Sequence, residues 1–420
     1  MENVDYLILG GGPAGLGALE ALGAKALLLE ASDHLGGLCS SFQIDGFTFD
    51  HAVHLSFTNN PLVLDFLKGI PLIKHAPESF NYCDGQWVRY PVQNNLYILP
   101  EQEKRLIIRG FKDRQPNPSP ANYAEWLIAS YGDYFAKKYP FRYTRKYWCL
   151  PAESLSTSWC GNRMYLPSVE EVEYSATHES TPNVYYAKEM RYPVLGGYAA
   201  FFGRTSFPGQ VRLNKKVVLI DPVLKMVACE DGSIYHYQRL FSSLPLDQTT
   251  RLYKGCPLEV AKASKRLFAT SMANISIGFK SKARIPSLWF YIYDKDVPFA
   301  RAYSPSLKSS SNVPTGCSSL QFEHYYLEND SLSDKQLIDA AISFITSSGI
   351  VDPSDILFAE ADRRQYANVV FYLGMEKDRG IVQDYLKSFG IEFIGRFGKW
   401  DYLWSDQSFL SGFQSAKVFS

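Results

Sequence analysis

The sequence lacks an excess of charge of either sign, because its 43 Lys and Arg residues face 43 Asp and Glu residues. Nucleic-acid-binding proteins draw much of their affinity from a basic excess, so this balance argues against a nucleic-acid surface. No apolar run approaches the ~20 residues that a membrane-spanning helix needs. The N-terminus leads into a predicted strand instead of a signal peptide. We therefore expect a cytoplasmic protein that neither binds nucleic acid nor inserts into a membrane.

Cysteine and histidine are also sparse, and neither has the spacing of a metal site. The seven cysteines are scattered without a Cys-x-x-Cys pair, and the seven histidines include no His-x-x-x-His pair. Such short spacings are typical of zinc sites, and dense, even cysteine sets are typical of disulfide frameworks. The sequence therefore predicts reduced thiols and no bound metal.

Residues 4–30 carry the pattern of a dinucleotide-binding unit. An apolar strand leads into Gly10-Gly11-Gly12-Pro13-Ala14-Gly15, and a helix and a second apolar strand follow, ending at Glu30. In this pattern the first glycine permits a tight turn, the second lets the backbone approach a pyrophosphate, and the third lets the helix pack on the strand. The helix N-terminus favours the anion, and the acid accepts hydrogen bonds from a ribose. The predicted cofactor contacts are Gly10, Gly12, Pro13, Ala14, Gly15 and Glu30.

The residues after the acid favour FAD over NAD. Gly36-Gly37-Leu38 form a second glycine pair that resembles the flavoprotein pattern of the amine-oxidase and sugar-mutase superfamily, and we assign all three to the cofactor site. No second strand–Gly-x-Gly-x-x-Gly–helix unit follows, which argues against a separate NAD(P) domain. The 15% of aromatic residues suits a flat-ring ligand as well as a densely packed core.

The length of 420 residues suggests two or three folding units. Apolar strands return at 217–220 and 240–244, as in a flavoprotein chain that comes back to its cofactor sheet, and Val218 is assigned to the cofactor. We expect an α/β fold: a Rossmann-like FAD-binding domain with a helical insertion and a second, antiparallel-sheet substrate domain. The expected units are a discontinuous FAD-binding domain at 1–60, 186–250 and 390–420, a mainly helical substrate and nucleotide domain at 61–185, and a β-sheet plus helix substrate domain at 251–389.

Local patterns predict further elements within these units. We expect a Pro-rich loop at 117–120, a strand at 288–293, a flexible Ser-rich tip at 309–312, an amphipathic helix at 332–350 and a helix from residue 409.

Three downstream motifs carry a more specific resemblance. They are Tyr-Pro-Val-Gln-Asn-Asn at 90–95, Trp-Cys-Gly-Asn-Arg at 159–163 and Gly-Arg-Phe-Gly-Lys-Trp-Asp-Tyr at 395–402. With the same fingerprint before them and in this order, they resemble the motifs of UDP-galactopyranose mutase, closest to the eukaryotic-type branch. The similar blocks are 4–60, 86–100, 146–164, 191–198, 288–305 and 390–413.

The resemblance implies an isomerase that interconverts the pyranose and furanose forms of a UDP-sugar for cell-surface polysaccharide biosynthesis. In that family the reaction proceeds through an adduct between flavin N5 and the sugar, so the cofactor is FAD, active when reduced. NADPH or NADH is the candidate reductant, and a homo-oligomer is the expected assembly.

The resemblance also assigns roles to individual residues. Arg163 and Arg301 match arginines that clamp the diphosphate, and Arg396 matches an arginine near the flavin. His54 matches the histidine over the isoalloxazine, whereas His51 replaces an apolar residue and receives no role. We assign these four matches to catalysis. The positions assigned to the substrate are Tyr90, Gln93, Trp148, Arg163, Trp289, Tyr291, Arg301, Tyr366 and Tyr402.

Positions that the family pattern places near the sugar differ here. Ala187 stands at an asparagine, and Asn368 stands at the second tyrosine of a Tyr-Gly-Tyr-Pro segment. The tail after Tyr402 is two residues shorter than the family pattern. The sugar and the base therefore stay open, and a nucleotide sugar other than UDP-galactose is an alternative to UDP-galactose itself.

Two other functions stay open from the sequence. An FAD-dependent oxidoreductase of the amine-oxidase or protoporphyrinogen-oxidase type shares the first 60 residues almost equally well. A non-catalytic protein that binds flavin and nucleotide sugar is compatible with the substituted positions. The diphosphate-type arginines and the segment at 90–95 favour the mutase.

Overall fold

The computed structural model describes residues 2–179, 181–182, 187–328 and 332–420. The described strands are β1 (Glu2–Leu9), β2 (Ala26–Leu29), β3 (Ser41–Ile44), β4 (Phe47–Asp50), β5 (Leu72–His75), β6 (Phe80–Cys83), β7 (Gln86–Arg89), β8 (Met190–Pro193), β9 (Val211–Arg212), β10 (Val217–Asp221), β11 (Met226–Cys229), β12 (Ile234–Ser242), β13 (Ala269–Phe279), β14 (Trp289–Ile292), β15 (Arg301–Tyr303), β16 (Ser318–Tyr326), β17 (Ile356–Val369) and β18 (Ile391–Phe393).

The described helices are α1 (Pro13–Leu22), α2 (Pro61–Phe66), α3 (Glu101–Asp113), α4 (Tyr123–Tyr131), α5 (Asp133–Lys138), α6 (Pro140–Tyr147), α7 (Val169–Ser175), α8 (Ala199–Phe202), α9 (Leu246–Leu252), α10 (Leu258–Arg266), α11 (Pro305–Lys308), α12 (Asp334–Ser347), α13 (Met375–Lys387), α14 (Gly395–Gly398) and α15 (Ser405–Lys417). None of these helices combines the length and the apolar composition that crossing a lipid bilayer requires.

The first large sheet is the dinucleotide-type sheet. Its order is β10-β11-β12-β1-β2-β9, and β18 also pairs with β12. The pairs around β1 are parallel, whereas β10, β11 and β12 pair antiparallel. Leu7, Ile8 and Leu9 are fully buried because parallel strands are covered on both faces. All its strands come from the ranges 1–60, 186–250 and 390–420.

The second large sheet has the order β17-β13-β16-β15-β14-β6-β7 and is antiparallel except between β6 and β14. Helix α12 packs on this sheet, and an apolar cluster that includes Ile275, Phe322 and Phe344 fills the space between them. The expected α/β fold class, with a Rossmann-like unit and further sheets, is confirmed.

Helices α1 and α15 pack with their backbones in contact. A Cβ atom on Gly17 would lie 2.0 Å from the carbonyl oxygen of Phe409, and one on Gly412 would lie 1.8 Å from that of Ala14. Only glycine permits this approach, because every other residue would place its Cβ inside the neighbouring carbonyl group. The close packing fixes α15 against the helix that follows the glycine-rich turn.

Several sequence predictions agree with the structure, and two do not. The strand β14, the loop at 117–120 and the helix α12 lie where they were expected, and α15 begins four residues before the predicted start at 409. The range 61–185 is less helical than predicted, because β6 and β7 form a hairpin of the second sheet. Asp84 and Gly85 join them with positive φ angles, which is the geometry of a tight hairpin turn.

The Ser-rich segment 309–312, which the sequence predicts to be a flexible tip, is only half exposed. Ser309 and Asn312 are buried, and the Asn312 amide donates to the carbonyl of Pro305 and to the hydroxyl of Tyr192. The composition suggested an exposed loop, and Ser310 and Ser311 are exposed, but Ser309 and Asn312 have hydrogen-bond partners inside the protein. The expected exposure was therefore wrong for these two residues, because polarity does not require exposure when hydrogen bonds are satisfied.

A buried ion pair joins the two sheet units. Lys308, at the end of α11, donates to the Asp50 carboxylate over 3.0 Å, and both side chains are fully buried. Asp50 also accepts from the Tyr192 hydroxyl, the Ser41 hydroxyl and the Tyr198 backbone N–H. Burial alone raises the pKa of Asp50, but Lys308 and these donors outweigh burial and hold the pKa below its ordinary value. Asp50 is therefore a satisfied buried carboxylate.

Replacing Lys308 by Met is expected to lower the free energy of unfolding by about 3–5 kcal/mol, because it leaves the Asp50 charge buried without its cation. Because the pKa of Asp50 is lowered, the contribution of the pair is present at neutral pH and disappears only as pH falls through the acidic range. Urea denaturation measures the loss. The control is Lys335→Met, which removes an exposed pair with Asp339. A loss no larger than that of the control contradicts the assignment.

Candidate active site

A cavity of about 680 Å³ lies between the two large sheets. This volume is within the range of small-molecule and cofactor sites. One end is formed by the segments that follow β1, β2 and β12, represented by Gly12, Glu30 and Ser243. The other end is formed by strands of the second sheet and the segment after α14, represented by Arg301 and Tyr402. Ligands of parallel α/β sheets bind at this carboxyl edge of the strands.

The glycine-rich turn has the geometry that a dinucleotide requires. Gly10 has a φ of +94°, and a Cβ on Gly15 would lie 1.9 Å from the Gly10 carbonyl oxygen. A Cβ on Gly12 would meet no atom closer than 4.0 Å, so this side of the turn is open to the cavity. Helix α1 begins at Pro13 without a side-chain cap, so its first N–H groups are available to an anion.

The carboxylate of Glu30 lies at the same end of the cavity as the glycine-rich turn. Its oxygens accept from the N–H of Gly11 over 2.6 Å and from the N–H of Ser32 over 2.8 Å. Gly36 in turn donates its N–H to the carbonyl of Gly11 over 2.9 Å, which brings the second glycine pair beside the first. Carboxylate oxygens keep lone pairs for further donors. An uncapped helix terminus beside a carboxylate therefore fits the pyrophosphate and ribose of a dinucleotide.

His54 lies in the cavity wall between the two ends. Its ring stacks on Tyr198 with centroids 4.8 Å apart, and its Nε2 is 3.0 Å from the carbonyl oxygen of Leu38. A carbonyl oxygen only accepts, so we assign the ring proton to Nε2 and leave Nδ1 as an acceptor. Burial disfavours the charged ring and lowers the pKa of His54 to about 4, although the nearby Asp50 charge opposes this shift. His54 is therefore neutral at neutral pH.

Arg301 is held by a buried acid. Its Nε donates to Glu323, which is fully buried, and its Nη2 donates to the hydroxyl of Tyr325 over 3.0 Å. Glu323 also accepts from the N–H of Val53 over 2.8 Å, so it connects Arg301 to the segment that carries His54. Arg301 lines the cavity, and no partner for its Nη1 occurs in the described parts of the chain. A guanidinium held at one edge keeps its other edge for an anion.

Arg396 lies at the centre of a second polar cluster. It donates to the carbonyl of Leu403 over 2.8 Å and to the Asn368 Oδ1 over 3.3 Å. Asn368 Oδ1 also accepts from the Tyr147 hydroxyl over 3.1 Å, and that hydroxyl lies 2.9 Å from the hydroxyl of Tyr402. The Arg396 guanidinium is 5.0 Å from the ring centre of Tyr402. One cation thus orients three side chains at the cavity wall.

Arg163 lies directly behind this wall. Its guanidinium stacks between the rings of Tyr402 at 4.5 Å and Trp404 at 4.0 Å, and it donates to the Tyr402 carbonyl. Its Nη1 is buried, and the described residues provide no partner for it. Arg163 is therefore separated from the cavity by Tyr402 and Trp404, which both line it.

The structure brings most of the predicted site residues to this cavity. Those that line it are Gly10, Gly12, Pro13, Ala14, Glu30, Gly37, Leu38, His54, Trp289, Tyr291, Arg301, Tyr366, Arg396 and Tyr402. Those that do not line it are Gly15, Gly36, Tyr90, Gln93, Trp148, Arg163 and Val218.

The residues outside the lining differ in how far they are from it. Tyr90 packs on Tyr291 with ring centres 5.1 Å apart, and Trp148 packs on Tyr402 at 5.5 Å, so both support the wall. Val218 is 43% exposed on the edge strand β10 and gives the cavity no contact surface. The motifs therefore predicted which residues lie near the cavity more reliably than which residues line it.

The sequence interpretation missed several residues of the wall. Tyr147 stands beside the predicted Trp148, and Tyr325 and Glu323 alternate along β16. The sequence contained one signal for these residues: Glu323 lies within an apolar and aromatic strand, and a buried charge needs a partner. Asn183, Val184, Tyr185 and Tyr186 lie outside the described residues. Ala187 is described and packs on a small apolar cluster that includes Trp289.

One group of potential metal ligands occurs away from the cavity. It consists of Cys83, Asp84 and Asp294. Asp84 forms ion pairs with Lys138 at 3.0 Å and Arg142 at 3.2 Å. These cations hold the pKa of Asp84 below its ordinary value, although burial acts in the opposite direction. Asp84 is therefore already paired with two cations.

Comparisons with known proteins agree with this geometry. The profile of the NAD(P)-binding Rossmann-like domain matches residues 8–70. A crystal structure of reduced UDP-galactopyranose mutase is 26% identical, covers 98% of this chain and 94% of its own, and superposes with a TM-score of 0.91. The resemblance to UDP-galactopyranose mutase that the motifs carried is confirmed over the whole chain.

Two oxidases share the fold at lower similarity. A putative protoporphyrinogen oxidase from Exiguobacterium sp. 255-15 is 16% identical, with a TM-score of 0.73 over 99% of this chain and 98% of its own. Putrescine oxidase bound to putrescine is also 16% identical, with a TM-score of 0.66 over the same shares. At this identity the likeness shows the fold alone.

His54 is expected to stay neutral between about pH 5 and pH 8, the range in which an ordinary histidine titrates. The reason is its lowered pKa of about 4. NMR of the imidazole carbons, assigned with a His54→Gln variant, measures the titration. His178, which is exposed, serves as the internal control. A midpoint for His54 near that of an exposed histidine contradicts the assignment.

Proposed function

We propose that the protein is an FAD-dependent nucleotide-sugar mutase that interconverts the pyranose and furanose forms of a UDP-sugar, as UDP-galactopyranose mutase does. The observation that carries the proposal is the arrangement of the cavity. It joins a dinucleotide-type end, at Gly12 and Glu30, to an end where Arg301, Arg396 and Tyr402 face the same space. The whole-chain similarity to the mutase supports this proposal.

FAD is the cofactor that we propose for the fingerprint, with NADPH or NADH as its reductant. Reduced FAD, when bound, supplies the nucleophile that exchanges with the diphosphate at the anomeric carbon of the sugar. Gly10, Gly12 and the start of α1 would hold its pyrophosphate, and Glu30 would hold its ribose. The arrangement of these groups around open backbone supports the assignment.

The task of the protein side chains is to stabilise the negative charge of a departing diphosphate. Arg301 and Arg396 line the cavity, and Arg163 lies behind Tyr402. Guanidinium groups stay charged and form paired hydrogen bonds with phosphate oxygens. Arg301 and Arg396 are oriented before the ligand arrives, by Glu323 and by Leu403 and Asn368. Such preorganised donors are an effective source of transition-state stabilisation.

His54 has the role of a neutral acceptor. Its Nε2 proton is used by the Leu38 carbonyl, so its Nδ1 accepts a hydrogen bond or a proton from a group in the cavity. The lowered pKa of the ring keeps this nitrogen free at neutral pH. We assign His54 to catalysis on this basis.

The cellular setting of the proposal is cell-surface polysaccharide biosynthesis from a cytoplasmic pool of nucleotide sugar, with the protein acting as a homo-oligomer. Seven free cysteines in the described structure support a reducing compartment. The sugar and the base stay open, because Ala187 and Asn368 stand where the family pattern has other residues.

The holoenzyme, reduced with dithionite under anaerobic conditions, is expected to convert one member of a panel of UDP-, GDP- and TDP-sugars into an isomer of equal mass. Chromatography with mass detection measures the product, and the oxidised holoenzyme is the control. Rapid turnover of UDP-galactopyranose supports the mutase and refutes a changed sugar specificity. A product lighter by two hydrogens, formed only with oxidised flavin, establishes the oxidase instead. Binding without any product refutes turnover of the panel.

Arg163→Ala and Arg301→Ala are expected to weaken UDP binding by ~1.5–3 kcal/mol each, the scale of a charged hydrogen bond, with little change in FAD content. Isothermal titration measures the affinity. Arg105→Ala, which removes an exposed pair with Glu101, is the control.

Arg301→Ala also leaves the buried Glu323 unpaired, so a second variant separates binding from stability. Arg301→Lys keeps the charge beside Glu323 but loses the planar fork of donors. We expect it to retain more stability than Arg301→Ala while still binding UDP less tightly than the wild type. Undiminished UDP affinity in both the Arg163 and the Arg301 variants removes the proposed clamp.

A further inference from the structure

Asn368 is a buried side chain with an unused hydrogen-bond donor at the cavity. It lies near the end of β17, is 3% exposed and lines the cavity. Its Oδ1 accepts from Tyr147 and from Arg396, at 3.1 Å and 3.3 Å. Its Nδ2 has no partner within the described residues. Buried amide groups are rarely left in this state, because an unmade hydrogen bond costs free energy.

The orientation of the amide follows from its neighbours. The nitrogen and oxygen of an asparagine are assigned from the hydrogen bonds that each position permits. Arg396 is a donor only, so the amide atom that faces it must be the oxygen. Turning the amide over would place Nδ2 against the Arg396 guanidinium, with two donors facing each other. The free group of Asn368 is therefore the N–H donor.

The same reasoning orients the two phenols. Tyr147 has one hydroxyl proton, and it donates this proton to Asn368 Oδ1. The Tyr402 hydroxyl, 2.9 Å away, must then donate to the oxygen of Tyr147. Both phenol protons are therefore directed along the cluster instead of toward a ligand. Within this cluster of Arg396, Asn368, Tyr147 and Tyr402, the Asn368 Nδ2 is the neutral donor that is left for a ligand.

We propose that Asn368 is a substrate-binding, specificity-determining residue whose Nδ2 donates a hydrogen bond to an oxygen of the nucleoside diphosphate sugar. This inference rests on the proposed function, because it takes its ligand from there. The acceptor is a phosphate oxygen or a sugar oxygen, since both reach a cavity end that is lined by arginine and phenol groups. A ligand that presents an apolar group or a donor at this point leaves the amide unsatisfied and is selected against.

The test uses Asn368→Asp, which keeps the shape of the side chain and the acceptor oxygen for Tyr147 and Arg396. It replaces the Nδ2 donor by a second acceptor, which repels an incoming oxygen. Asn368→Ser removes the amide altogether and provides a second variant if the first does not fold. The matched control is Asn312→Ser, because Asn312 is also a buried asparagine but lies outside the cavity lining.

Isothermal titration of the oxidised holoenzymes with UDP and with UDP-galactopyranose measures the effect without turnover. We expect both Asn368 variants to lose about tenfold or more in affinity for UDP-galactopyranose, as the loss of one buried hydrogen bond predicts. An equal loss for UDP identifies a phosphate oxygen as the acceptor. A loss confined to UDP-galactopyranose identifies a sugar oxygen. Asn312→Ser is expected to lower the thermal midpoint and leave both affinities unchanged.

Two results overturn the inference, and they are distinct from failure of the proposed function. Asn368 variants that bind both ligands within twofold of wild type, with lowered thermal midpoints, show a structural role only. Affinity losses of the same size in Asn312→Ser show a general effect of destabilisation. A wild-type holoenzyme that binds neither UDP nor UDP-galactopyranose overturns the proposed function and the inference with it.

Discussion

The buried pair of Asp50 and Lys308 is the contact on which the geometry of the cavity depends. Asp50 ends a strand of the cofactor-side unit, and Lys308 ends a helix that packs on the second sheet. The Asp50 carbonyl accepts from the Tyr303 hydroxyl, two residues after Arg301, and His54 follows Asp50 by four residues. Asp50 is therefore tied both to the segment that carries His54 and to the strand that carries Arg301. Glu323 adds a second link, since it binds both Arg301 and the Val53 N–H.

Much of the fold could be predicted from local patterns. The fingerprint at 4–30 specifies strand, turn and helix because its glycines stand where a side chain would not fit. The structure shows such close approaches at Gly10 and Gly15. The hairpin of β6 and β7 was missed although Asp84-Gly85 is a hairpin signal, because its strands are only four residues long. The burial of Asn312 was missed because one of its partners, Tyr192, is 120 residues away in sequence.

The sequence predicted part of the site, and there is a physical reason why it did not predict the rest. A short motif consists of residues that are neighbours in sequence. A cavity wall, in contrast, consists of side chains from several strands that happen to point into the same space. Arg301 and Tyr402 face the cavity, but Trp148 and Tyr90 pack one layer behind. Glu323 and Tyr147 carry no motif of their own, and their importance follows only from what they touch. Asn368 was noticed as a departure from a pattern, and the structure adds that its amide has one donor to spare.

The contact between α1 and α15 has a consequence for the order in which the protein can mature. Gly412 lies against the carbonyl of Ala14, and Gly395 and Arg396, which precede α15, line the cavity together with Gly12. The ribosome synthesises the glycine-rich turn near the start of the chain. It synthesises Gly395, Arg396 and α15 more than 380 residues later. The glycine-rich turn and these residues therefore meet only after residues 395–417 have been synthesised. Until then the glycine-rich turn lacks the residues that complete its end of the cavity, so this end cannot form on a partly synthesised chain.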